Sequence, residues 1–577
     1  MKSKKILIIN FTRMGDLIES TSLFKKIKTA YPGSFTTLLV LPEFYEICGF
    51  FDDIDEVVKF DITNISAEIF NNNYRFSYKL YKSLENFLNR FTELNYEIVF
   101  NLTHDIISSY FMYLLKAGKF VGFSRNREGD LLKIGEIVLF FIGAAKIRKA
   151  SCINLVDIYE EMLPQKAPVR RVYLNTSKKI DARESAKKIL SENGIKENNA
   201  VISFAVGASS ELKKWKKEYF LELAKLLIKY DINLKILILG AQYDKPAGEY
   251  IKKNIENEFS GNVIDLTGST SVSELVNIIE RSDILITNDT GTMHIAAGVK
   301  TDIIVIYTGQ AGYFETGPYV ENQVLVLPDI PCFPCDFGVK CNNFICAGYI
   351  QPDSIFEIVK LKLEQGLNRE NLKDLNLGKI NLLISKFDKF GFMDYVPLKR
   401  RKLSFDDLKL RIFKLSMESV LNKNIPGQIA KDDIAEILNN YSNMDESILG
   451  DLDKLVEVID KMISFCSKAM KDLKFILRDL LGSRIDINKA AAMLNNIENS
   501  DRNLLFNGLI YDELFVLNIM YKSYKQSILS YDLFGISVDS LKNFSKYKLY
   551  LQNYKRLIAE FKEEISACPN PLQRESI

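Results

Sequence analysis

The sequence predicts two doubly wound α/β lobes followed by a helical region. Short apolar, β-rich runs alternate with helical patterns over roughly the first 360 residues. A polar stretch, Asn175–Asn199, divides that alternation into two halves. Beyond about residue 365 glycine and proline become scarce, and large apolar residues recur at steps of three or four.

The elements follow in order. Lys5–Asn10 is a continuous apolar run, the pattern of a strand buried on both faces. Asp16–Tyr31 carries Leu17, Phe24, Ile27 and Tyr31 on one helical face, and Pro32 stops it. Phe35–Leu41, Val57–Phe60 and Ile98–Leu102 read as further strands. The rhythm restarts with Val201–Val206, Leu234–Leu239, Val263–Leu266, Ile284–Thr287 and Ile303–Tyr307. Such a βαβ rhythm gives parallel sheets covered by helices, and two of them enclose a cleft suited to a nucleotide-bearing ligand. In the last region Leu452, Leu455, Ile459, Met462, Cys466, Met470, Leu473, Leu477 and Leu480 form one stripe. Leu551, Tyr554, Ile558, Phe561 and Ile565 form another, as in a helical bundle or antiparallel coiled coil. The expected division is 1–175, 176–365 and 366–577, with Pro397–Lys402 as a basic hinge. On this division a chain ending near residue 370 is expected to stay folded.

Composition narrows the function. The 577 residues carry a net charge of +2, which gives no global field for nucleic acid. No signal peptide is read at the start, and no apolar run reaches the roughly 20 residues of a membrane span. A cytoplasmic enzyme with reduced cysteines is the expectation. Lys116, Lys119, Arg125, Arg127, Lys133, Lys146, Arg148 and Lys149 surround the apolar run Ile137–Ala145. That arrangement reads either as a peripheral dock on anionic lipid or as a buried segment with a solvated rim.

Four motifs carry chemistry. In the turn Asn10–Asp16, Gly15 allows a tight strand-to-helix passage, and Asp16 sits at a helix start facing the cleft. Its carboxylate can take a proton from a hydroxyl, or simply cap the helix. Gly207–Trp215 follows the first strand of the second half; its small residues and Lys213 suit a phosphate, though the P-loop spacing is absent. Asn288–Ala297 joins a strand to a helix and brings free backbone N–H groups, hydroxyls and His294 toward one point, an arrangement suited to a diphosphate. Cys332, Cys335, Cys341 and Cys346 gather four of the eight cysteines within 15 residues, a spacing that can close a structural zinc or iron site, or that reads as a chance cluster or a redox pair. Asp53-x-Asp55 is better read as a surface turn than as a metal-binding DxD.

In combination these motifs resemble glycosyltransferase family 9, the ADP-heptose heptosyltransferases of lipopolysaccharide synthesis. Gly15-Asp16 with Tyr31-Pro32 is similar to the family's opening signature, and Asn101–His104 with Val121-Gly122-Phe123 to its middle. Gly207-Ala208-Ser209 with Lys213 resembles its phosphate loop, and Asn288–Gly291 with Met293, His294, Ala296 and Ala297 its most specific motif. The resemblance covers roughly residues 4–365. It implies a GT-B fold and inverting transfer from a nucleotide sugar without a metal cofactor. Asp16 would be the base. Ser209, Lys213, Asp289, Thr290, Gly291 and His294 would hold an ADP-heptose-like donor, with Arg13, Asn101 and His104 on the acceptor side. The acceptor would be a glycan, glycolipid or protein, since the cysteine knuckle is similar to the metal-binding finger of the protein-modifying branch. A non-catalytic binding protein is the third reading. Thr308-Gly309-Gln310 departs from the family's usual Gly-Pro-Thr loop, and Asp302 stands where a proline is common.

Overall fold

The opening apolar run becomes β1 (Lys5–Asn10), the centre of a sheet, because helices cover both its faces. In this computed structural model the described residues are 4–60, 78–115, 117–125, 135–163, 169–255, 258–259, 261–336, 338–364, 366–373, 375–421, 431–481, 486–526, 528 and 532–567. The chain folds as two compact units. One holds residues 1–120 and 154–399; the other holds 121–153 and 400–577.

The first unit contains both α/β lobes. Its N-lobe sheet has the order β3-β2-β1-β4-β5, with β2 (Phe35–Val40), β3 (Glu56–Lys59), β4 (Ile98–Asn101) and β5 (Lys119–Gly122). β1 runs parallel to both β2 and β4. The expected helix Asp16–Tyr31 is two helices, Met14–Glu19 and Thr21–Ala30, with Ser20 as the joint. The Ser20 and Thr21 hydroxyls bond back to the carbonyls of Leu17 and Ile18, the way such side chains bend a helix. Asp53 and Asp55 pair with Lys25 and Lys28 at the turn into β3, in agreement with a surface turn.

The C-lobe sheet is β6 (Val201–Ala205), β7 (Lys235–Leu239), β8 (Val263–Asp265), β9 (Ile284–Asn288), β10 (Asp302–Ile306) and β11 (Val324–Pro328). Its order β8-β7-β6-β9-β10-β11 is that of a dinucleotide-binding sheet, all parallel. Two more strands follow where only helix was expected. β12 (Ile380–Phe387) adds antiparallel to β11, and β13 (Met393–Pro397) adds antiparallel to β12 at the sheet edge. The signal was a hairpin: two apolar runs around a turn in which Gly391 has φ of +79°. The expected tail at 366–577 therefore gives its first strands to the C-lobe sheet, and the unit closes at Lys399, inside the basic Pro397–Lys402 stretch.

The second unit is mainly helical. Its longest members are the helices Ile448–Leu481 and Leu533–Ala567, of 34 and 35 residues. Lys555 pairs with Asp460 and Lys562 with Asp453, which fixes them antiparallel. Leu452, Leu455, Ile459, Met462, Cys466, Ala469, Leu473 and Ile476 are buried in strict three-four alternation. This is a heptad seam. Ala469 and Ile476 hold the places expected for Met470 and Leu477, because the seam keeps its period and a larger neighbour cannot shift it. The excursion 121–153 belongs to this unit. Ile137, Val138, Leu139, Phe140, Phe141 and Ala144 are buried, with Phe140 beside Phe413 and Gly143 against the Val516 backbone. Arg148 is buried as well. The apolar run is thus interior packing and no lipid-docking face; Lys116, Arg127 and Lys133 lie outside the described residues.

Candidate active site

Each sheet of the first unit reverses its strand order once, and the chemistry-bearing turns lie at those two points. In the N-lobe the reversal falls between β1 and β4, where Ile9 is level with Asn101. In the C-lobe it falls between β6 and β9, where Ala205 is level with Thr287. Open α/β sheets bind ligands at such points because adjacent loops diverge there.

The N-lobe turn is held by its asparagines. Asn10 accepts the Thr12 N–H at 3.1 Å, and the Phe11 N–H reaches the Thr103 hydroxyl at 2.7 Å. Asn101 is buried; it accepts from the Thr103 N–H and donates to Ser108. It therefore supports the turn from beneath, while His104 and Arg13 are exposed at its rim. Asp16 is half-buried at the third position of the helix Met14–Glu19; the N-cap residue is Arg13, and Asp16 serves the helix start as the acceptor of a capping box. Its carboxylate accepts the Arg13 N–H at a long 3.4 Å. Burial lifts the Asp16 carboxyl above the ordinary carboxylate value and Glu315 adds to that, while Arg13 and His104 oppose it.

The C-lobe turns are stapled by Asn288. Its side chain accepts the Trp215 N–H at 2.9 Å and donates to the Gly207 carbonyl at 3.0 Å. Sequence spacing gave Asn288 no role, although an asparagine at a strand end followed by a helix start is a recurrent loop staple. Trp215 anchors the same loop in the core, donating from its indole to the Ile350 carbonyl. Lys213 is buried and donates to Asp289 at 2.6 Å, so the cation meets the next motif directly. Ser209 is exposed at the loop tip. Thr290 and Gly291 open the helix Gly291–Val299, with the Thr290 and Thr292 hydroxyls 2.6 Å apart. Thr308 and Gly309, the departing loop, pack on the Leu212 carbonyl and so brace the Lys213 turn.

The two helix starts meet. A methyl group added at Gly15 would lie 2.6 Å from Cδ2 of His294, and one at Gly291 would lie 2.5 Å from the Met14 methyl. Both glycines therefore serve the close approach of the two helix starts. Burial holds the His294 imidazole at a pKa of about 4, so it is neutral at physiological pH. Beneath it lies Glu19, a residue that spacing alone did not single out. It is fully buried, with Oε1 3.7 Å from Nδ1 of His294. Burial, then Asp16, Asp289 and Glu315, push its carboxyl well above the usual range.

The cysteine segment follows β11. Cys332 and Cys341 are exposed, Cys335 is half-buried and Cys346 is buried. Among the described residues no three histidine, cysteine or acidic side chains stand close enough together to hold a metal ion. Cys335 instead hangs from the Gly309 carbonyl by its backbone N–H, which ties the segment to the loop after β10.

Comparison with known proteins agrees with the motifs. Residues 85–343 match the model of glycosyltransferase family 9 (heptosyltransferase). The lipooligosaccharide heptosyltransferase 2 of Haemophilus influenzae is 23% identical over 330 residues, 56% of this chain and 88% of that protein. The enzyme of the same name from Haemophilus ducreyi is 23% identical over 332 residues, again 56% and 88% of the two chains. Among solved structures, the Escherichia coli ADP-heptose heptosyltransferase II superposes with a TM-score of 0.47 at 18% identity, covering 63% of this chain and 99% of that one. The matched stretch gives the chain a glycosyltransferase family 9 (heptosyltransferase) domain over residues 85–343, and the C-terminal extension lies beyond that domain.

Proposed function

We propose that this chain is an inverting transferase that moves a heptose from an ADP-heptose-like donor to a hydroxyl of a lipopolysaccharide-core acceptor. The observation that carries the reading is the meeting of two helix starts at the two strand reversals, one bearing a half-buried carboxyl and the other preceded by Asp289, which pairs with Lys213 of the neighbouring turn. Asp16 acts as general base and takes the proton of the acceptor hydroxyl. The hydroxyl oxygen bonds to the anomeric carbon from the face opposite the leaving group. The bond from that carbon to the diphosphate oxygen breaks, and the electron pair leaves with the diphosphate. Lys213, Ser209, Thr290 and the free N–H groups at Gly291 offset the charge that develops there. Asp289 holds Lys213 in place until the donor arrives. Arg13 and His104 face the acceptor. The ligands are thus a nucleotide sugar and a glycan, and no nucleic acid. The enzyme works in the cytoplasm, at the membrane face where a lipid-linked acceptor is presented. No helix among the described residues is long and apolar enough to cross a membrane.

The test is transfer itself. Purified protein incubated with ADP-heptose and a heptose-deficient lipopolysaccharide core should release ADP and lengthen the core by one sugar. ADP release without a lengthened core, or neither product, sinks the reading. The cysteines enter only as a structural proposal. One zinc or iron ion on Cys332, Cys335, Cys341 and Cys346 would draw the segment together on binding. Elemental analysis of protein purified without added metal reads this directly, and protein free of zinc and iron ends it.

A further inference from the structure

Glu19 is the buried group that the proposed chemistry leaves unused. It lies one helical turn past Asp16, has no exposed surface, and neither carboxyl oxygen has a hydrogen-bond partner among the described residues. A buried, unsatisfied polar group is costly to the fold, so its presence beside these groups calls for a physical account. Its surroundings are acidic: Asp16 on its own helix, Asp289 and Glu315 from the C-lobe. The basic atom that faces it is Nδ1 of His294, 3.7 Å from Oε1. The opposite edge of that imidazole lies against the turn at Gly15, where an added methyl would stand 2.9 Å from Nε2. The two ring nitrogens therefore face different partners, and what one meets decides the state of the other.

We propose that Glu19 is a positioning residue that holds His294 in a single tautomer: its carboxyl O–H is directed at Nδ1, and the ring hydrogen resides on Nε2, facing the cleft turn. Burial and three acidic neighbours push the Glu19 carboxyl toward its protonated form, and burial disfavours charge on the imidazole, which makes the acid the donor and the ring the acceptor in this arrangement. A neutral N–H at the cleft then adds one fixed donor beside the start of the helix Gly291–Val299, where an anionic oxygen of the donor would lie. That consequence rests on the proposed donor site; the tautomer itself does not.

The chain has two histidines, so the full-length protein labelled with ¹⁵N-histidine gives a side-chain spectrum with two imidazoles, assigned through His104→Gln. At neutral pH His294 should show its hydrogen on Nε2 and a bare Nδ1. Glu19→Gln should keep that pattern, because its amide can donate to Nδ1 in place of the acid. Glu19→Met, which can donate nothing, should release the ring into a mixture or the other tautomer and weaken ADP binding about tenfold, the worth of one hydrogen bond to a charged group. A hydrogen on Nδ1 in the native protein, or an unchanged tautomer in Glu19→Met, overturns the proposal. Should Glu19→Met fail to fold, the native and Glu19→Gln spectra decide by themselves. If the tautomers follow expectation but ADP does not bind the native protein, the donor-site reading fails and the role of Glu19 stands.

Discussion

The two units bury charge in opposite ways. In the first, Asp16, Glu19, Lys213, Asp289 and His294 converge from separate strands and helices on one cleft, and Glu19 there has no hydrogen-bond partner among the described residues. In the second, charges brace helices. Lys414 and Glu418 pair one turn apart within a helix and Lys409 stands 3.6 Å from Glu513, while at the surface Lys555 and Lys562 pin the two long helices in register. Desolvation is thus focused at a site in one unit and spread along a scaffold in the other. Focused desolvation raises the Asp16 and Glu19 carboxyls together, the kind of perturbation that clusters at functional sites. Spread pairs secure geometry.

The largest effect should come from cutting between the units as the sequence divides them. A chain ending near residue 370 loses β12 and β13 and strips Ile137–Phe141 of the helices that cover them. It should aggregate, contrary to the expectation from sequence texture. Soluble protein of that length with a single sharp melting transition would show that the two units are more independent than their shared chain segments imply. Next is Asp16→Asn, which should lower turnover about 10²–10⁴-fold, the usual worth of a general base, with ADP affinity kept. In the native enzyme kcat/KM should fall on the acid side with a midpoint above 3.8, since burial raises this carboxyl. The variant should lack that limb. A variant retaining both turnover and limb would move the base elsewhere.

Ile459→Ala tests the scaffold. It empties a place in the heptad seam and should cost about 2–5 kcal/mol in the second unit, read by denaturant titration of helical signal. ADP affinity should not change; a parallel loss of binding would join the two units energetically. Glu513 gives a pH signature. Burial raises its carboxyl from 4.5 to about 7, with Lys409 opposing. The folded unit then binds a proton that the unfolded chain has released. Stability is full below about 4.5 and falls as pH rises through about 7, by roughly 3 kcal/mol in all. Glu513→Gln should flatten that decline, and an unaltered profile would assign it to other groups. The smallest effect is at Lys213. Lys213→Met should weaken ADP binding about tenfold at low salt, less at high salt, because part of the lysine's charge is already spent on Asp289. Equal affinities at both salt levels, read by calorimetry, would remove Lys213 from the donor site.

Much of this protein was legible in its sequence because period and punctuation are local. Continuous apolar runs gave β1, β2, β6, β7, β9 and β10 to within a residue or two, since a strand buried on both faces has no other way to look. The turns carrying Asp16, Lys213 and His294 were legible for the same reason: each sits between a strand and a helix start. What lay beyond the sequence depends on contacts distant along the chain. That residues 121–153 pack with a unit that resumes at Arg400 is set by which apolar face finds which cover, and no spacing encodes that. The seam chose Ala469 and Ile476 over Met470 and Leu477 because a facing helix fixed its period. Lys213 met Asp289, and Glu19 met His294, only when two sheets placed their strand reversals opposite each other. Sequence determined the elements and the residues at their ends; tertiary structure decided the partners, because burial and proximity belong to the folded chain.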